Sequence, residues 1–486
     1  MFLKNIIKKV SPYLLSASLS FGIFQPVHAL SFGRILPEEI AIYTRDLQTG
    51  EVLTAHRADV SVNPASVMKL VTTFAALNHL GENHRWRTVW KSDAPIINGT
   101  LMGNLYWIGS GDPVFDQESL QAMQAQLRLN GINRINGQVV FDRSVWDSIG
   151  SADGFEADAA ETFTTPPDPH LVAYKVAWLQ AAIDEYGNPQ IITDPPLPDI
   201  NTDIQVTRQN SSAACSRLSN YVRAQYDKDT LRVRGQIPIS CSGKKMFFNM
   251  LDTQTFARQS FLGYWLADGG NRVTFAEGRT PINARILAVQ DSKPLSQVLA
   301  DMNKFSNNTI ARTVFLTLGQ NSNGSTLQNA KITARRTLIT AGLDDETLIL
   351  ENGSGLSRRE RVSARFIGDM LEKAYHAPFA SAFIDSLPIA GYDGTLKNRF
   401  KKIGGSLRLK TGTLANVRAL AGYWLPENPQ QHPLLIVVII NSVGSKAYLP
   451  DLDYLVSEVL HRAQNWEEAH TVPQAPKQKH TTPDKD

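Results

Sequence analysis

A serine hydroxyl is a poor nucleophile until a base takes its proton, so a serine within reach of a basic side chain is where chemistry could start. The stretch "NPASVMKL" (63–70) offers such a pair. Asn63 suits an N-cap, Pro64 suits the first helical position, and Gly81 is a plausible stop after Leu80. On a helix begun there, Ser66 and Lys69 share a face. Val67, Met68, Leu70, Val71, Phe74 and Leu77 wrap apolar surface around most of the cylinder, which marks an interior helix. Lys69 then either escapes to solvent at the helix end or stays near low-dielectric surroundings to take the proton of Ser66.

Two further triplets carry the remaining polar groups that acyl transfer needs: Ser306-Asn307-Asn308 and Lys410-Thr411-Gly412. Singly they are weak. Ser242–Lys245 repeats the serine–lysine spacing, Ser61–Asn63 repeats the serine–asparagine one, and only Lys-Thr-Gly occurs once. Each also has a bland explanation: an ordinary helical turn, a capping turn and an exposed strand edge. Context binds them together, because they fall in chain order on a helix start, a turn between helices and a strand.

The elements that would position them can be read from periodicity. "IAIYTRDLQTGEVLTAHR" (40–57) reads as two strands around a Gln-Thr-Gly turn leading into the Ser66 helix. "PLSQVLADMNKF" (294–305) and the segment after Ser306 read as helices. "SLRLKTGT" (406–413), "VRALAGYWL" (417–425) and "PLLIVVIINS" (433–442) read as an antiparallel meander, and 452–463 as an amphipathic closing helix. Between Glu82 and Ala284 the chain changes character: short alternating stretches such as 85–91, 104–113 and 137–142 suggest strands, separated by Pro-rich joints at 164–170 and 194–200.

With 486 residues, 42% hydrophobic and 20% charged, the chain is an ordinary globular one. A net charge of +3 without a long basic run gives no reason to expect nucleic acid. Lys4, Lys8 and Lys9, then the apolar stretch 13–24, then "VHA" (27–29), form the layout of a secretory leader cleaved after about Ala29. That stretch is too short and too serine-rich for a membrane anchor, and the polar C-terminal tail has no apolar face to lie on a bilayer. Export puts Cys215 and Cys241 in an oxidising compartment, where an even pair tends to become a disulfide; two buried free thiols are the alternative. No cysteine or histidine cluster suggests a metal.

The three motifs resemble those of the penicillin-recognising serine enzymes. The wider pattern, including "LYWIGSGDP" (105–113), "GQIPISC" (235–241), "NGSGLSR" (352–358) and "GYDGTL" (391–396), is similar to the low-molecular-mass penicillin-binding proteins of the D-alanyl-D-alanine carboxypeptidase/endopeptidase type. One departure is Asn352, where that family usually has Asp. The resemblance implies an α/β fold of the serine β-lactamase/transpeptidase kind, an antiparallel sheet flanked by helices. Ser66 and Ser306 are 240 residues apart (306 − 66), far more than such a domain needs. The resemblance implies a large strand-rich insertion there, forming one or two extra domains. The expected organisation is a leader over 1–29, catalytic segments over 30–85 and 285–466, the insertion over 86–284, and a disordered tail over 467–486.

The resemblance also assigns roles. Ser66 would be the nucleophile and Lys69 its base, with a proton affinity lowered by partial burial and by the nearby Lys410. Ser306 would relay a proton to the leaving D-alanine nitrogen, and Asn308 would hydrogen-bond the lysine and the substrate backbone. Lys410 and Thr411 would hold the substrate's terminal carboxylate, and Gly412 would let the substrate strand lie along the sheet edge. The backbone N–H groups of Ser66 and Thr413 would form the oxyanion hole. Asp158, in the acidic stretch 155–162, would meet the free amine of a stem peptide, against the plainer reading of a solvated loop. The expected reaction is hydrolysis of D-Ala-D-Ala ends and D-Ala cross-links by a periplasmic protein, soluble or loosely membrane-associated, whose partners are peptidoglycan peptides and β-lactam antibiotics, with no cofactor. A β-lactamase and a catalytically silent wall-binding protein are the rivals on the same fold.

Overall fold

The run Leu434–Asn441, "LLIVVIIN", is too continuously apolar for a strand with one wet face. In the computed structural model it is the central strand of a five-stranded sheet and is buried on both sides. The order across the sheet is Leu407–Leu414, Val417–Trp424, Leu434–Asn441, Ile40–Asp46 and Val52–His56, and every pairing is antiparallel. The two N-terminal strands thus complete the C-terminal meander, and the strand bearing Lys410 is left at an edge. The structure describes residues 30–470 apart from 148, 159–160, 211–213, 250, 321–322 and 344–345. The expected leader lies outside these residues, as does the tail from 471 on. Residues 467–470, expected to begin that tail, instead continue the Leu449–His470 helix.

Against the sheet pack helices that share one apolar core. Its centre is the Met68–Leu80 helix, whose residues from Met68 to Leu77 are all buried. The Leu295–Lys304, Asn308–Thr317, Thr326–Thr340 and Ala364–Tyr375 helices surround it. Gly81, at φ +80°, ends the central helix as its sequence suggests. The start differs from expectation. Ala65–Val67 is a 3₁₀ turn entered through Ala65 at φ +47°, so Ser66 precedes the α-helix rather than lying in its first turn. Asn63 is not the cap expected of it, since Pro64 and Val67 hold the cap positions of the turn and the helix. Its Oδ1 instead accepts the Ala65 N–H at 2.8 Å, and its backbone N–H and C=O pair with the amide of Asn441 on the central strand, each at 2.9 Å.

Between the first two motifs the described residues build four further sheets. A five-stranded one combines Arg87–Ser92, Leu105–Ile108, Gln138–Asp142, Thr274–Glu277 and Arg285–Asp291 around a core of Trp90, Trp107, Phe141, Phe261 and Trp265. Three smaller sheets complete the region, and two of them close over the core that holds Cys215 and Cys241. The cysteines are disulfide-bonded, with Cα atoms 5.0 Å apart. Arg285–Asp291, which the expected border at 285 assigned to the catalytic part, pairs antiparallel with Arg87–Ser92. The strands that leave and re-enter the catalytic part therefore lie side by side, as the ends of an insertion do.

Candidate active site

Ser66, Lys69, Ser306, Asn308, Lys410 and Thr411 meet in one place. Lys69 is fully buried, at 0% exposure. Its Nζ lies 3.0 Å from Ser66 Oγ, 2.6 Å from Asn308 Oδ1 and 2.5 Å from the Ser354 carbonyl. Two of these partners are acceptors only. A neutral amine has two N–H groups and one lone pair; donating to Asn308 and Ser354 leaves the lone pair for the Ser66 hydroxyl proton. The environment favours that form, since burial lowers the Lys69 pKa to about 7, against an opposing push from the Glu360 carboxylate. Of the two causes the sequence suggested, burial is the one at work, and the charge of Lys410 is not among the causes.

Asn308 can serve this purpose because its amide cannot turn over. Its Nδ2 donates to the Phe163 carbonyl at 3.0 Å, so Oδ1 must face the lysine. The neighbouring Asn307 does the capping, accepting the Ile310 N–H at 3.0 Å. The plain capping explanation and the chemical one are therefore both satisfied, by adjacent residues. Ser306, between the two helices, sits at φ +55°, a conformation that costs a non-glycine residue energy and is concentrated at functional sites.

Lys410 projects from the edge strand and is also 0% exposed. Its Nζ is 2.9 Å from Ser306 Oγ and donates to the Thr411 carbonyl at 2.8 Å. Burial and the charge of Lys69 hold its proton affinity well below that of an ordinary lysine. The Thr411 hydroxyl lies 2.9 Å from that of Thr395. Gly412 has a packing reason to be glycine that the sequence did not suggest. A Cβ there would come within 2.6 Å of the Pro64 carbonyl, so the missing side chain lets the strand press against the turn that carries Ser66. Gly355 flanks the same turn from the other side, where a Cβ would strike the Ala65 carbonyl at 1.9 Å.

Ser66, Ser306, Asn308, Thr411 and Thr413 open into a cavity of about 480 Å³. Asp158 lines it too, together with Phe155, Phe163 and Arg358, whose guanidinium lies 4.9 Å from the centre of the Phe155 ring. Four participants were missed from the sequence: Thr395, the Ser354 carbonyl, the Phe163 carbonyl and Glu360. Thr395 and Ser354 stand in the motif-like stretches 391–396 and 352–358, where flanking glycines were the available signal. A backbone carbonyl such as that of Phe163 has none. Asn352, the departure noted above, accepts from the Ser354 N–H and hydroxyl at 3.0 and 2.6 Å and donates to the Leu356 carbonyl, which closes the turn below the lysine.

A serine and a buried lysine on a helix start, answered by a second lysine on the edge of an antiparallel sheet, define the class of penicillin-recognising serine enzymes. Within it the assignment is narrower. The sequence profile of the D-Ala-D-Ala carboxypeptidase 3 (S13) family matches residues 27–454, and the chain belongs to that family, whose members are serine peptidases. It is 29% identical over 404 residues to the D-alanyl-D-alanine carboxypeptidase of Actinomadura sp. (strain R39), covering 78% of this chain and 73% of that protein. The crystal structure of penicillin binding protein 4 (dacB) from Haemophilus influenzae matches with a TM-score of 0.66 and 26% identity, covering 83% of this chain and 90% of the other. The same protein complexed with a β-lactam matches at 0.63 and 25% identity with equal coverage. Among the described residues no helix is long and apolar enough to cross a membrane.

Proposed function

We propose that the protein is exported to the periplasm and there hydrolyses the terminal D-alanyl-D-alanine bond of peptidoglycan stem peptides, and D-alanyl cross-links, through an acyl-enzyme on Ser66. The observation that carries this reading is the position of Lys69 Nζ between Ser66 Oγ and the fixed Asn308 Oδ1. In the first step the Lys69 amine takes the Ser66 proton as Oγ attacks the carbonyl carbon of the penultimate D-alanine. The oxyanion is received by the backbone N–H groups of Ser66 and Thr413. The leaving D-alanine nitrogen gains its proton through Ser306, which Lys410 contacts. Lys410 and Thr411 hold the substrate's terminal carboxylate. Water then attacks the ester and returns Ser66 to its starting state. Asp158, on the wall of the same cavity, is placed to attract a cationic group of the stem peptide. Residues between the first two motifs act as an inserted region, and no metal or cofactor enters the scheme.

β-Lactams mimic the D-Ala-D-Ala end and would acylate the same oxygen, as the β-lactam complex of the Haemophilus protein encourages one to expect. The test is incubation of purified protein with a fluorescent penicillin, peptide mapping of the adduct, and measurement of D-alanine released from a peptide ending in D-Ala-D-Ala. An adduct on Ser66 with D-alanine release is expected. No adduct would leave a silent wall-binding protein, and rapid penicillin turnover without D-alanine release would make it a β-lactamase.

A further inference from the structure

Glu360 stands in "SRRERV", a run that reads as solvated surface. The structure buries it completely, at 0% exposure. One carboxylate oxygen, Oε1, accepts the backbone N–H groups of Glu351, Asn352 and Gly353 at 3.1, 3.0 and 3.0 Å. The other, Oε2, has no hydrogen-bond partner among the described residues. The turn held by Oε1 is the one that serves the nucleophile helix: the Gly353 carbonyl accepts from Thr72 at 2.6 Å and the Ser354 carbonyl from Lys69 at 2.5 Å.

Burial raises the proton affinity of Glu360 itself, and the three backbone N–H groups and the charge of Lys69 oppose that rise. A buried carboxylate with a bare oxygen stays ionised only where such partners stand nearby. Two cations do. Lys69 comes from the central helix. Arg312 comes from the Asn308–Thr317 helix; it is buried, spends Nη2 on the Gly150 carbonyl at 2.6 Å and leaves Nη1 without a partner. Against the effect of burial, Glu360 raises the proton affinity of Lys69, and Asp153 and then Glu360 raise that of Arg312. Lys410 is the third buried cation, and the Lys69 charge acts on it in turn. Glu351, next to the held turn, is already occupied with Arg359 and Lys331.

We propose that Glu360 is the internal counter-ion of the catalytic centre, a positioning residue that fixes the turn under Lys69 and, through its charge, sets the pH at which Lys69 becomes a free base. It works through the lysine and touches no substrate. The inference rests on Lys69 being the base. The sign follows directly: a nearby anion stabilises the protonated amine, so losing it makes the amine neutral at lower pH.

Glu360→Gln tests this. The glutamine oxygen can still accept the three N–H groups, so the turn keeps its anchor while the charge is lost. Acylation by a fluorescent penicillin is followed from about pH 5 to about pH 9, beside a melting curve. The acid limb of the rate profile should move down by about one unit, so that on the limb the rate relative to its plateau rises about tenfold. Glu360→Asp keeps the charge, and its limb should stay with the wild type even where the plateau falls. An unmoved limb in a folded Gln variant, or an equal shift in both variants, overturns the proposal. A measurement on the unaltered protein covers failure of the variants to fold. Infrared spectra with carboxyl-labelled glutamate at about pH 7 should show Glu360 ionised, and a buried protonated glutamic acid there overturns the proposal as well. If instead Lys69→Arg acylates normally, the base assignment itself has failed, which is a different result.

Discussion

Replacing Lys69 by arginine separates proton transfer from charge, because arginine keeps the positive charge and does not give up its proton in a protein. With its pKa lowered to about 7, the Lys69 amine is neutral in about half of the molecules at neutral pH. An unperturbed lysine would be neutral in only about three of ten thousand there. Burial therefore raises the population of free base about a thousandfold, and arginine forfeits all of it. Removing a general base costs at least about 100-fold in rate, so acylation by penicillin should fall by that much or more.

Stability provides the control. Helix propensities of the two residues are similar, but this side chain is fully buried, and forcing a larger group into a packed site costs about 1–3 kcal/mol. The melting temperature should drop by several degrees and the protein should remain folded at 25 °C, the temperature of the rate assay. The guanidinium can still donate to Asn308 Oδ1 and the Ser354 carbonyl, so those acceptors keep a partner. Second-order acylation rates for both proteins, corrected for folded fraction, decide the matter. A rate within about threefold of the wild type would mean that another group activates Ser66, and the reading of this helix would be wrong.

Four further outcomes are expected. Acylation should fall about tenfold per pH unit below about pH 7, because the lysine must lose a proton before it can accept one from Ser66; a flat profile down to about pH 5 contradicts this. Reducing Cys215–Cys241, whose loop is worth roughly 3 kcal/mol in the chain-entropy model, should expose the amides of Thr230–Ile237 and Lys245–Phe248 to hydrogen exchange well before those of the central helix, and equal deprotection would speak against a separable insertion. Gly412→Ala should lower the melting temperature and slow acylation at least about tenfold, since its Cβ meets the Pro64 carbonyl at 2.6 Å and either the strand or the Ser66 turn must move; normal values of both remove that packing argument. Asp158→Asn should raise KM several-fold for a stem peptide with a free side-chain amine and leave penicillin acylation unchanged, a pattern that an idle solvated loop would not produce.

Residue types and order were legible in the chain; burial and close approach were not. The alternation and apolar runs of 40–57 and 406–442 announced five strands, but not that the N-terminal hairpin and the C-terminal meander join into one sheet. The entry to the Ser66 helix was misread in detail because the cause is not local. Ala65 is held at φ +47° where Gly355 closes from one flank and Gly412 from the other, and neither neighbour can be inferred from "NPASVMKL". Glu360 was hidden for the opposite reason: nothing beside its three neighbouring arginines marks it as interior, and only the chain's return under the central helix takes it inside.

The insertion also reaches the site. The stretch from Gly150 to Thr165 returns to the Asn308–Thr317 helix and accepts three hydrogen bonds from it: Asn308 to the Phe163 carbonyl, Thr309 to that of Thr165, and Arg312 to that of Gly150. The first decides which way the Asn308 amide points, and so whether Lys69 finds an acceptor or a repelling donor. The same stretch brings Phe155, Asp158 and Phe163 to the cavity wall beside Ser66. An insertion that only enlarged the protein would need none of these contacts. Because it orients the amide that Lys69 donates to, a change in its docking would, on the proposed mechanism, reach Ser66 through Asn308 and Lys69 without altering any residue of the three motifs.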